Sequence, residues 1–156
     1  ISIPTRIGAL DEAIHGFRVA TQRPAYRQRI LAGLDFEGGI ASLRVLRSVE
    51  HLTDGGLGPS IRQVADDLGI EHSTASRSVD SLVRGGLLAR GRCADDQRQA
   101  RLSLTERGLR ILGEATSHRQ EVLSSLVADW GERDVEILAE LLDRLRQRFD
   151  EEFGRR

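Results

Sequence analysis

Apolar positions recur at helical spacing along most of this chain and alternate only in a short stretch near residue 100. Ile7, Leu10, Ile14 and Phe17 open a first helical stripe, which Pro24 kinks or breaks before Ile30, Leu31 and Leu34. Ile40, Leu43, Leu46 and Val49 predict a helix from about Glu37 to Leu52. A shorter helix follows, with Ile61, Val64, Ala65 and Leu68 on one face and Arg62, Gln63, Asp66 and Asp67 on the other. Ser60 stands three residues before Gln63, the spacing of a capping box. Gly69 sits where a left-handed residue closes a helix without steric cost. Ala75, Val79, Leu82 and Val83 then give a further helix, ended by Gly85-Gly86. Its start is open between His72 and Ser73, because Glu71 is a weaker cap than Ser.

Beyond Gly86 the period changes. Leu87-Leu88-Ala89-Arg90 reads as a short apolar strand, residues 91–99 as a polar tip, and Ala100-Arg101-Leu102-Ser103-Leu104 alternates as a half-buried returning strand does. Thr105 caps the next helix, whose stripe of Leu109, Leu112, Ala115, Val122, Leu123 and Leu126 runs toward Trp130. Gly131 interrupts it, and Val135, Leu138, Leu141, Leu142, Leu145, Phe149 and Phe153 resume at spacings of three and four. Helix, turn, helix and hairpin in close succession are the sequence form of a winged helix-turn-helix. The expected fold is mainly α with a small β-hairpin wing.

The residues on the two outer elements point to a DNA duplex. Ser73, Thr74, Ser76 and Arg77 cluster at the start of the second helix. Short hydroxyls let a helix approach a major groove closely, and an Arg fork meets guanine O6 and N7 together. An ordinary surface helix carries the same residues, so the neighbouring hairpin decides the matter. Arg92, Arg98 and Arg101 lie on that hairpin, where cations reach phosphates or a narrow minor groove. Asp96, close to Arg98, would repel phosphate and is expected to brace an Arg instead.

The net charge of −1 excludes a general polyanion binder, so affinity must come from local charge. Residues 73–107 hold seven Arg against three Asp and one Glu, a surplus of three that a symmetric dimer doubles. The terminal stripes exceed what one such module buries alone, which predicts a homodimer through the N- and C-terminal helices. The expected organisation is residues 1–35 and 109–156 for dimerisation around a DNA-binding lobe of 36–108, interleaved into one compact unit. A two-fold dimer implies a pseudo-palindromic operator, with half-sites about 10 to 10.5 base pairs apart or a multiple of that.

Residues 64–108 resemble the winged helix-turn-helix of MarR-family transcriptional regulators, most closely the SlyA-like branch. The resemblance rests on Asp67-Leu68-Gly69-Ile70, Ser73-Thr74-Ala75-Ser76-Arg77, Gly86-Leu87-Leu88-Ala89-Arg90, and Asp96-Gln97-Arg98 followed by Leu104-Thr105-Glu106-Arg107-Gly108. It assigns Arg77 to DNA contact from the recognition helix. Gln97 stands where relatives usually carry Arg, so Arg98 is favoured for the minor groove and Arg101 for the backbone. The family further implies a repressor released by a small phenolic or otherwise anionic molecule. His15, Arg18 and Tyr26 are candidates to line its cleft, and packing or surface roles account for them equally well.

Other functions have little to rest on. His15, His51, His72 and His118 fall on separate predicted elements, without metal-ligand spacing. Asp66-Asp67 and Asp95-Asp96 are sequence neighbours on surfaces rather than a catalytic dyad, and Gly55-Gly56-Leu57-Gly58 lacks the Lys of a phosphate loop. Neither an enzyme nor a cofactor is expected. Cys93, the single cysteine, allows no internal disulfide, and an inert thiol is the expectation. No apolar run approaches a membrane span and no secretory leader is recognisable, which predicts a cytoplasmic protein. Opening on Ile1 suggests that a few residues precede it. The alternative is a winged-helix protein-interaction module without DNA binding, which would have no need of Arg at both position 77 and position 98.

Overall fold

The computed structural model describes residues 3–92 and 100–154, with side chains over 5–91 and 100–154. Helix α1 (Ile3–Thr21) leads into α2 (Pro24–Leu31), which Pro24 starts from its first turn, where the missing N–H costs nothing. Helix α3 (Ile40–Leu52) begins three residues later than the apolar spacing predicts. Gly39 takes an extended conformation at the cap position, which leaves residues 37–39 outside the helix.

Helix α4 (Ile61–Leu68) carries the predicted capping box in full. The Gln63 backbone N–H donates to Ser60 Oγ at 3.2 Å, and the Ser60 backbone N–H donates to Gln63 Oε1 at 2.8 Å. Gly69 closes it at φ 63°, ψ 37°, in the left-handed region that glycine adopts freely. Helix α5 (His72–Arg84) starts at His72, with Glu71 in the cap position. Strands β1 (Leu88–Arg92) and β2 (Ala100–Leu104) pair antiparallel, with Leu88 opposite Leu104 and Gly91 opposite Arg101. β1 starts one residue later than expected because Leu87 serves the turn: its N–H donates to Leu82 O at 2.9 Å and its carbonyl accepts from Thr105 at 3.1 Å.

Thr105 caps α6 (Glu106–Leu126), its Oγ1 accepting from Gly108 N–H at 3.0 Å and donating to Gly86 O at 2.6 Å. One side chain thereby ties the end of α5 to the start of the next helix. Helix α7 (Glu132–Phe153) completes the described chain.

Leu46, Val49, Val64, Val79, Leu102 and Ile111 are fully buried in one cluster, so α3, α4, α5, β2 and α6 share a core. Ile30 from α2 and Leu112 and Ala115 from α6 join it, crossing both of the domain boundaries expected from sequence. The termini contrast with this. Helix α7 has no buried residue, and Phe17, Leu142 and Phe153 are 63%, 54% and 73% exposed.

Candidate nucleic-acid interface

Burial of Ala75, Val79 and Leu82 fixes the rotation of α5 and turns its other face outward. Ser73, Thr74 and Arg77 are exposed and Ser76 is half-buried, so the cluster predicted to reach base edges faces away from the protein's own body. That orientation is what entry into a groove requires.

Two Arg residues that sequence counting treated as available charge instead hold α5 in place. Arg90 on β1 pairs with Asp80 on α5. Arg107 on α6 donates to the Gly85 carbonyl at 2.6 Å and to the Asp35 carbonyl at 2.8 Å, with the Asp35 carboxylate 3.7 Å away. Arg107 therefore braces the C-terminus of α5 against the loop before α3, where a cation also complements the helix dipole. The local surplus of positive charge is concentrated on fewer side chains than composition implies.

The wing is docked onto the start of α4. Leu102 N–H donates to Pro59 O at 2.9 Å, which ties β2 to the residues preceding the helix. Gly58 makes this approach possible, because a Cβ there would lie 1.6 Å from Leu102 O. Arg101 on β2 is half-buried and donates to Gln63 Oε1 at 3.1 Å, the same oxygen that completes the capping box. Its Nε is buried and meets no hydrogen-bond partner among the described residues. Arg92 lies at the end of β1 opposite Ala100, with its side chain outside the described set. Cys93, Asp96, Gln97 and Arg98 lie outside the described residues.

The candidate ligand residues separate into two places. His15 and Arg18 approach each other at 3.5 Å on exposed α1 and share a depression with Asp11, Glu12 and Ile14. Tyr26 packs against the core cluster from α2 and does not line that depression. It faces Arg119, whose guanidinium burial and then Arg47 push below its ordinary value, with Tyr26 and Glu50 opposing the shift. Among the described residues no group of three His, Cys, Asp or Glu side chains is placed to hold a metal ion, and no helix is long and apolar enough to cross a membrane.

Residues 39–99 match the model of the MarR family. Solved structures share the fold over nearly the whole chain. A MarR family protein from Bacillus stearothermophilus is 19% identical with a TM-score of 0.79, covering 96% of this chain and 99% of that one. Streptococcus pneumoniae FabT in complex with DNA is 17% identical with a TM-score of 0.68, covering 94% and 97%. A mutant of S. aureus MepR bound to an oligodeoxyribonucleotide is 21% identical with a TM-score of 0.58, covering 88% and 97%.

Proposed function

We propose that this chain, whose fold is the MarR winged helix and whose residues 39–99 match that family, is a sequence-specific regulator of transcription that binds double-stranded DNA. The observation that carries this reading is the outward face of α5 beside a wing locked to α4, so that two DNA-reading elements are held in one rigid frame. Ser73, Thr74, Ser76 and Arg77 are assigned to the major groove. Arg92, Gln97, Arg98 and Arg101 are assigned to the wing's contacts with the backbone and minor groove, and Asp96 to bracing an Arg beside them. FabT and MepR, bound to DNA in their solved structures, share this architecture. Within the family, we assign the chain to the SlyA-like branch, a reading that rests on the likeness of residues 64–108 to those regulators.

The working form is a homodimer. Ile7, Leu10, Ile14 and Phe17 on α1 and Leu138, Leu141, Leu142, Phe149 and Phe153 on α7 are all more than 40% exposed in the single chain. Large contiguous apolar faces of this kind mark an interface. Residues 1–35 and 109–156 supply that interface around the lobe of 36–108. Sedimentation is expected to return the mass of two chains, and Leu142→Glu to shift it toward one. A wild-type monomer would remove the dimer from this reading.

The regulator acts as a repressor whose release follows the binding of a small phenolic or anionic molecule. Such a ligand works only through unequal affinity for DNA-competent and DNA-incompetent dimers. His15 and Arg18, which share one depression on α1, are the residues assigned to it, and Tyr26, packed against the core, is left out.

Selection of genomic fragments by the purified protein tests the central statement. Recovered fragments are expected to share a pseudo-palindrome with half-sites about one helical turn apart, or a multiple. Recovery without any shared motif would reject sequence-specific binding.

A further inference from the structure

Between the first turn of α4, the first residue of α5 and strand β2 lies an open cavity of about 620 Å³. Arg62, His72 and Arg101 line it, together with Ser60 and Gln63, and among the described residues no carboxylate lines it. Three groups that can carry or share positive charge thus converge from three different elements, beside a hydroxyl and an amide. We propose that this cavity seats one backbone phosphate of the bound duplex, held by Arg62, His72 and Arg101, and that Gln63 is the positioning residue that aims Arg101 into it.

The position of the cavity supports this choice of ligand. On one side stands the N-terminal end of α5, whose exposed residues are assigned to the major groove; on the other stands β2 of the wing, assigned to the minor groove. The sugar-phosphate strand that divides those two grooves has to pass between the two elements. A phosphodiester is small enough to enter a space of this volume, and charge-assisted bonds to phosphate oxygens fix register without reading sequence.

Gln63 links local helix chemistry to this contact. Its Oε1 accepts from both Ser60 N–H and Arg101, so the capping box that starts α4 also sets the direction of the guanidinium. Without that oxygen, Arg101 would be held by its strand alone.

This inference rests on the DNA-binding reading, and the experiment separates the two. Affinity for the selected site and for a scrambled duplex is measured across a salt series, for wild type, Arg62→Ala, His72→Ala and Gln63→Glu. Glu serves in a capping box as Gln does, so α4 is kept while Arg101 becomes paired with a carboxylate. Arg62→Ala and Gln63→Glu are each expected to lower the magnitude of the log-affinity against log-salt slope by about 1, with the same fold loss on both duplexes. His72→Ala is expected to weaken both duplexes equally. If wild type binds and the Arg62 and Gln63 variants keep its slope, the phosphate seat is rejected while DNA binding stands. A loss confined to the selected site would also reject it, because that outcome assigns these side chains to bases. Failure of wild type to bind any duplex would overturn both readings.

Discussion

Gly58→Ala is expected to destabilise the fold by about 1 to 3 kcal/mol, the cost of forcing a methyl group into a packed site. The added carbon would lie 1.6 Å from the Leu102 carbonyl oxygen. Backbone occupies that space rather than the end of a flexible side chain, so relief requires moving β2. Such movement stretches the bond from Leu102 N–H to Pro59 O, 2.9 Å in the native fold, which contributes a further loss of about 1 kcal/mol if it breaks. Chemical unfolding reads the effect as a lower midpoint, and an unchanged midpoint would show that β2 can shift without penalty. The same displacement carries Arg101 away from Gln63, so DNA affinity should fall even under conditions where the variant is fully folded.

Gly58 also shows where reading the sequence stops. In the sequence it belongs to a Gly-rich run weighed against a phosphate loop, and its partner lies 44 residues away on another element. A close approach of two backbones leaves no periodicity in either segment. The Arg90–Asp80 pair and the Arg107 brace were missed for the same reason, since each joins elements whose mutual orientation follows only from packing. By contrast, the boundaries of α4 and β2 in the winged lobe were legible because their signals are local. Ser60 and Gln63 satisfy each other's backbone donors within one turn, Gly69 supplies a conformation that costs glycine little, and alternation in residues 100–104 buries Leu102 while Ser103 stays exposed. The start of α3 escaped because it is set by the extended backbone of Gly39, which hydrophobic spacing does not encode. The apolar stripes of α1 and α7 were legible as stripes. Within one chain they stand exposed, and the proposed dimer is what would cover them.

Arg77→Ala is expected to cost about 1 to 3 kcal/mol in binding to the selected site while costing little on scrambled DNA. The side chain is exposed on the first turns of α5, next to Ser73 and Thr74, and the buried residues that orient this helix lie on its opposite face. Alanine is the strongest helix former, so removing an exposed Arg there should leave folding stability nearly unchanged. The loss is therefore assignable to the groove. Its pattern is opposite to that expected for Arg62: discrimination between bases shrinks while the salt slope changes less, because a bidentate contact to guanine displaces fewer counterions than a phosphate contact. Binding to the selected site and to single-base variants of it, at two salt concentrations, separates the two cases. Should the order of preference among those variants persist after Arg77→Ala, base reading would pass from Arg77 to the hydroxyls beside it. Should both variants alter only the salt slope, α5 would be docking on the backbone, and the winged lobe would hold DNA without reading its sequence through Arg77.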